Sequence, residues 1–313
     1  MKVLYLGDFI KENGPSMVDI NLTNKLGDQV LKVQINKNLK KALSEILSCD
    51  IINVSGVSVK GALYSLIAKL CGKKVTYIMH GGLEIEKRYR EVPKDRIICE
   101  KITIACAKKI ICVSEKFEEI IKNTYNLKKT TYINNGVELK FKDKLNNNID
   151  ENLMLTVGGG RKEKGILNIC KAISCLNDKK VKLIVVGEDG PDTESIKTYD
   201  FVEYRGFVDN KELIKLMEQS NIFIQNSLYE PFGIAPLEAI SSGCKVILSE
   251  NIGAPIKQIN EFVVKHDDIE SISKSIDKLL KNRNIQNIDQ SFIDNLTWEN
   301  SAKRYIELWK SMI

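Results

Sequence analysis

Residues 221–249 read NIFIQNSLYEPFGIAPLEAISSGCKVILS, and this stretch decides the fold. Ile222–Gln225 is a short apolar run of the length of a buried strand. The polar residues after it read as a loop. A helix is predicted over Pro236–Ser242, with the proline in the first turn, where a missing N–H costs nothing. Gly243 ends that helix, and Lys245–Leu248 is a second short apolar run. A strand, a helix and a second strand in close succession make a parallel βαβ unit, because the crossover carries the chain back over the sheet.

The same alternation runs outward in both directions. Upstream, strands are predicted at Leu153–Val157, Val181–Val186 and Phe201–Arg205, with helices at Gly165–Leu176 and Asn210–Gln219. Downstream, Ile269–Lys281 and Trp298–Met312 carry helical spacing. The first half repeats the pattern. Its predicted strands are Val3–Leu6, Gln29–Gln34, Ile51–Val54, Val75–Met79, Lys109–Val113 and Thr130–Ile133. Its predicted helices are Asp19–Leu26, Leu39–Leu47, Gly61–Leu70, Ile102–Ala107 and Lys116–Tyr125. The polar, Asn-rich stretch Lys140–Asn152 reads as a linker. The pattern predicts an α/β protein of two Rossmann-like doubly wound domains, residues 1–141 and 142–298. The closing helix, about 299–313, is expected to pack back on the first domain. Ligands in such sheets lie beyond the carboxyl ends of the strands, so the cleft between the halves is the expected site.

The chain has 313 residues, 43% hydrophobic and 28% charged, which excludes disorder along its whole length. No apolar run approaches the ~18 residues of a membrane span. The first eight residues hold too short an apolar stretch for a signal peptide, so a cytoplasmic protein is expected. The eight cysteines form no Cys-x-x-Cys pair and are expected to be reduced and buried. Two histidines, His80 and His266, leave no room for a multi-histidine metal centre. His266 reads as a solvated loop residue, and Trp298 and Trp309 read as packing residues. Residues 1–141 hold 24 Lys and Arg against 15 Asp and Glu, and the remainder 23 against 26. The excess of positive charge in the first half points to an anionic partner: a membrane surface, a phosphorylated substrate or a nucleic acid. A Lys-rich solvated surface is the plain alternative.

Two segments carry chemistry. Gly158-Gly159-Gly160-Arg161-Lys162-Glu163-Lys164-Gly165 follows a predicted strand and opens a predicted helix. Glycines allow close backbone approach, a helix start offers free N–H groups, and Arg161 and Lys164 add two cations, a composition suited to a diphosphate. The segment is no Walker loop, and Glu163 stands where a dinucleotide fingerprint needs its third glycine. The second segment is Glu230–Glu238, two glutamates with seven residues between them. A carboxylate there can accept from vicinal hydroxyls of a sugar or ribose, and the amides of Phe232, Gly233 and Ile234 suit an anion. An acidic helix start is the structural alternative.

The Glu230–Glu238 segment resembles the Glu-x7-Glu motif of retaining GT-B glycosyltransferases, most closely glycosyltransferase family 4 (group 1). The likeness extends to Val185-Val186-Gly187 with Asp189-Gly190, to Val202–Gly206, to Ser220–Ile224, to Asn135-Gly136-Val137-Glu138 and to Thr297-Trp298-Glu299. It implies a GT-B fold and transfer of a sugar, with retention, from a nucleotide-diphosphate sugar to a glycan or lipid-linked acceptor in bacterial surface polysaccharide synthesis. The donor base, UDP, GDP or another, stays open. No metal, no cofactor and no nucleic acid are implied, and the protein would work in the cytoplasm or peripherally on the membrane's inner face. By the same resemblance Arg161 and Lys164 hold the diphosphate, with Gly160 beside them. Glu238 binds ribose hydroxyls, Glu230 binds the transferred sugar, and Phe232, Gly233 and Ile234 offer amides. His80, in Met79-His80-Gly81-Gly82, matches a first-domain histidine near the donor sugar. Asn13-Gly14-Pro15 matches the glycine loop after the first strand, with Gly-Pro for the usual Gly-Gly. Arg161 and Lys164 are three apart where the family's pair is five apart, so Lys162 is a third cation that can take one of the two places. A GT-B nucleotide-sugar epimerase and a non-catalytic GT-B partner subunit are the rival readings.

Overall fold

The computed structural model describes residues 1–10, 14–35, 39–137, 149–176, 180–255, 262–282 and 295–313, with backbone alone at 39–42. Asn13, Glu138 and most of the predicted linker lie outside the described residues. The chain divides into two compact units, Met1–Gly136 with Asn295–Ile313, and Val137–Asp294.

The first unit runs β1 (Val3–Gly7), α1 (Gly14–Leu26), β2 (Val30–Gln34), α2 (Leu39–Ser48), β3 (Ile51–Ser55), α3 (Val59–Leu70), β4 (Lys74–Met79), α4 (Leu83–Glu86), α5 (Lys94–Cys106), β5 (Lys109–Cys112), α6 (Glu115–Tyr125) and β6 (Thr130–Tyr132). Its strands form one parallel sheet in the order β2-β1-β3-β4-β5-β6. Every residue of β1 and β3 is buried, as helices covering both faces of a sheet require. Helix starts are written locally. Ser58 caps α3 by accepting from the Gly61 amide at 2.9 Å, and Ser114 caps α6 by accepting from Phe117 at 3.1 Å.

The second unit runs β7 (Asp150–Val157), α7 (Ile166–Ser174), β8 (Lys182–Val186), α8 (Thr193–Lys197), β9 (Val202–Gly206), α9 (Asn210–Gln219), β10 (Ser220–Gln225), α10 (Ile234–Ser241), β11 (Lys245–Ser249), β12 (Val263–Val264) and α11 (Ile269–Lys281). Its parallel sheet has the order β12-β11-β10-β7-β8-β9, the Rossmann arrangement. The closing helix α12 (Trp298–Ser311) belongs to the first unit. Trp309 is fully buried there and donates its indole N–H to Thr76 Oγ1 at 3.3 Å, while Ser301 donates to the Asn134 carbonyl at 2.6 Å. Both tryptophans are packing residues. Six cysteines are buried and none is disulfide-bonded, whereas Cys71 and Cys175 are exposed, against expectation.

Each sheet has one point where the strand order reverses, and there the loops leave in opposite directions and open a crevice. In the first unit this point lies between β1 and β3, and in the second between β7 and β10.

Candidate functional site

In the second unit, the loops after β7 and β10 carry both sequence segments singled out above. They meet directly. Lys164 Nζ donates to Glu230 Oε2 at 2.5 Å, and Gln225 Nε2 donates to the same oxygen at 2.8 Å. Lys164 and Glu230 side chains are only 12% and 17% exposed, so a largely desolvated ion pair sits at the strand ends. The Leu228 amide donates to the Glu163 carbonyl at 2.7 Å and ties the two loops together. Arg161 projects outward, donating Nε to the Gly158 carbonyl at 3.1 Å, and Lys162 is exposed.

The glycine turn works differently from its sequence reading. The amides of Gly158 and Gly159 donate to the Val186 carbonyl, at 2.7 and 3.0 Å, and the Gly160 amide donates to Glu188 at 3.1 Å. A Cβ on Gly159 would stand 2.0 Å from the Glu188 carbonyl oxygen, on a backbone at φ +59. The glycines therefore allow two backbones to touch, and Gly160 has no free amide for a diphosphate. A 3₁₀ turn, Lys162–Lys164, separates the glycines from α7. The segment brings three cations to the turn, Arg161 and Lys162 exposed and Lys164 paired with Glu230.

Glu238 lies on the second turn of α10 and is mostly buried. Burial alone pushes its carboxyl up to about 6. Among the described residues the carboxylate has no hydrogen-bond or ion-pair partner. The start of α10 has no side-chain cap, with Gly233 at φ +94 preceding it. Pro236 lacks an N–H, and the amides of Ile234 and Ala235 have no partner within the helix. The Phe232 side chain is buried and its carbonyl accepts from Ala254 at 2.6 Å. Two more polar atoms at the end of β10, Gln225 Oε1 and Asn226 Oδ1, are buried without a partner among the described residues.

His266 was missed by sequence reasoning. It is half-buried, not solvated: Nδ1 donates to the Asn226 carbonyl at 2.6 Å, and its own carbonyl accepts from Asn226 at 2.8 Å and Asn168 at 3.1 Å. It fastens the loop after β10 to α7, and no local sequence signal announces it.

In the first unit, His80 follows β4 and lines a cavity of about 310 Å³, shared with Asp8, Asp19, Ser55, Arg90 and Arg96. Behind it lies a chain of polar groups that no motif predicted. His80 Nε2 is 2.7 Å from Ser55 Oγ, and Ser55 donates to Asp19 Oδ1 at 2.5 Å. Tyr5 donates to the same oxygen at 2.7 Å, and the Asp8 amide donates to Asp19 Oδ2 at 3.0 Å. A Cβ on Gly7 would stand 2.6 Å from Asp19 Oδ2, so glycine there makes room for the carboxylate. Burial outweighs the three donors and raises Asp19 to about 7, and it lowers His80 to about 4. His80 is thus a neutral imidazole at neutral pH. Gly14 opens α1 with nothing within 4 Å of its would-be Cβ.

The family model of the group 1 glycosyl transferases matches residues 137–296, about half of the chain. An uncharacterized glycosyltransferase of Methanocaldococcus jannaschii is 25% identical over 232 residues, 64% of this chain and 59% of the relative. The GDP-mannose:cellobiosyl-diphosphopolyprenol α-mannosyltransferase of Xanthomonas oryzae is 23% identical over 287 residues, 85% of this chain and 75% of the relative. The crystal structure of Anabaena HepE in complex with UDP and glucose superimposes with a TM-score of 0.80 at 15% identity, over 99% of this chain and all of that one. That likeness shows the α/β fold to be GT-B. With paired loops at a Rossmann switch point and a family model across the unit that holds them, the chain belongs to the group 1 glycosyl transferases.

Proposed function

We propose that the protein transfers a sugar from a nucleotide-diphosphate sugar to a glycan or lipid-linked acceptor, with retention of anomeric configuration, in the manner of glycosyltransferase family 4. The observation that carries this reading is Glu238: a desolvated carboxylate with no partner among the described residues, raised to about 6 by burial alone. Burying an ionisable group without a partner is costly unless a ligand supplies donors, and vicinal ribose hydroxyls do. HepE binds UDP and glucose, which supports a nucleotide-sugar donor here as well.

In this reading Arg161 and Lys164 hold the diphosphate and stabilise the charge that grows on it as it leaves. The bond from the anomeric carbon to the phosphate oxygen breaks, and a bond to the acceptor hydroxyl oxygen forms on the same face. The acceptor proton passes to the departing phosphate. Glu230 contacts the transferred sugar and, through its pairing with Lys164, couples sugar position to diphosphate position. The reading gives no role to a metal.

A peripheral seat on an anionic membrane fits one face of the first unit. Val59, Leu63, Leu66 and Leu70 follow each other at helical spacing along α3 and are 63, 42, 43 and 79% exposed. Ile98 is exposed on α5, which packs against α3. Lys69 and Lys94 are exposed on the same two helices, with Asp95 their one exposed acid, while Lys101 pairs with Glu84 at 3.3 Å and Arg96 lines the His80 cavity. Apolar side chains among cations complement an anionic bilayer, and the like charges repel a second copy. No helix among the described residues is long and apolar enough to cross a membrane.

The test is a donor screen by calorimetry, followed by transfer assays with lipid-linked saccharides and determination of the product anomer by NMR. Tight binding of one nucleoside diphosphate, weakened about tenfold or more in Lys164→Ala, is the expected result. Interconversion of the donor sugar without an acceptor would favour the epimerase, and binding without turnover the non-catalytic subunit.

A further inference from the structure

The hydrogen-bond polarity of the Asp19–Ser55–His80 chain has a definite direction. The Asp8 amide and the Tyr5 hydroxyl both donate to Asp19, so an ionised Asp19 is acceptor on both oxygens. Ser55 has one proton, and at 2.5 Å from Asp19 Oδ1 that proton is committed to the carboxylate. Toward His80 the Ser55 oxygen can therefore only accept, and Nε2, 2.7 Å away, must carry the hydrogen. His266 provides the opposite case. A carbonyl oxygen only accepts, so its contact with Asn226 at 2.6 Å places the hydrogen on Nδ1.

We infer that Asp19 and Ser55 are positioning residues that hold His80 as the Nε2–H tautomer, leaving Nδ1 as a hydrogen-bond acceptor for a sugar hydroxyl. A neutral imidazole with a bare Nδ1 repels a phosphate oxygen and attracts an O–H group. The inference rests on the proposed sugar transfer for what Nδ1 accepts, but not for the tautomer itself. The three residues come from α1, β3 and the end of β4, and all line the cavity of about 310 Å³ at the strand-order reversal. The arrangement orders an imidazole through a hydroxyl to a carboxylate, so that binding energy is not lost to the wrong tautomer.

The chain's two histidines make the test direct. Protein labelled with ¹⁵N-histidine, at pH 8 and without ligand, gives two imidazole patterns in long-range ¹H–¹⁵N spectra, assigned with His266→Gln. His80 is expected as Nε2–H and His266 as Nδ1–H. Ser55→Ala should shift the His80 pattern toward a mixture and leave that of His266 unchanged, and unaltered emission of Trp298 and Trp309, both buried in the first unit, reports that this unit stays folded. Ser55→Thr should restore the His80 pattern. Asp19→Asn, whose amide cannot accept from all three donors, should move His80 toward Nδ1–H and serves if Ser55→Ala does not fold. In transfer assays Ser55→Ala should lose about tenfold in kcat with less change in donor KM. A wild-type His80 in the Nδ1–H form, or a His80 pattern indifferent to both variants, overturns the inference. Failure of the sugar-transfer reading would show separately, as no turnover by wild-type protein whatever the spectra.

Discussion

Glu230 and Glu238 present the same functional group in different settings, and they should fail differently. Glu238 meets no partner among the described residues, and its proposed contact with ribose is equal in ground and transition states. Glu238→Gln should weaken donor binding more than it slows the chemical step. Glu230 is locked to Lys164 and assigned to the sugar whose ring gains positive charge, so Glu230→Gln should lower kcat by more than it raises donor KM. Steady-state kinetics with saturating acceptor decide this, and the reverse pattern would exchange the two roles. Asp19 and His80 make a second contrast, in stability. Between about pH 4 and 7 folded Asp19 keeps a proton that the unfolded chain releases, so its contribution falls as pH rises. Between about pH 4 and 6.5 the unfolded chain protonates a histidine that folded His80 leaves neutral, so its contribution rises with pH. The two slopes, each at most about 1.4 kcal/mol per pH unit, oppose one another. Asp19→Asn should therefore gain stability relative to wild type as pH rises from 4 to 6.5, read from urea unfolding at intervals of one pH unit. A flat difference would refute the protonated, buried Asp19.

At the scale of elements, α3 is a helix whose outward face reads like an inward one. Leu66→Gln and Leu70→Gln should change unfolding free energy by no more than about 0.5 kcal/mol each, because these side chains are exposed. Flotation with anionic liposomes at low salt should nevertheless drop for both variants. Equal flotation would leave the stripe without a bilayer partner. Elements were legible in the sequence where an apolar run or a helical period marks them: the runs of β3 and β10 and the spacing of α9 and α11 stand close to their predicted bounds. The helices α4 and α8 and the strand β12 were not, since four or five residues hold little more than one helical turn and two residues make no apolar run. α5 begins at Lys94, well before its predicted start, because its first turns carry the polar residues Lys94, Asp95 and Arg96. Of the site, Lys164 and Glu230 were each singled out by a motif, but their pairing was not, because 66 residues separate them and only the fold joins the two loops. Nor was the Tyr5, Asp19, Ser55 and His80 chain, because its members are 14 to 36 residues apart and only the sheet order joins them.

At the scale of the whole molecule, the first unit closes only when α12 is added. Trp309 fills its interior, so Trp309→Ala should destabilise that unit by about 3–5 kcal/mol. The second unit is continuous from Val137 to Asp294, and its calorimetric affinity for nucleoside diphosphate should survive the change. Loss of both properties together would mean that the units do not fold independently. The divided composition of the first unit also imposes a timetable on biosynthesis. Its six strands leave the ribosome well before the helix that covers them, with the whole second unit in between. At ~5–20 residues per second that interval is roughly 10–30 s. For that time the nascent sheet has no seal at Thr76 and Asn134, so the chain is expected to engage a ribosome-associated chaperone until its final turn emerges.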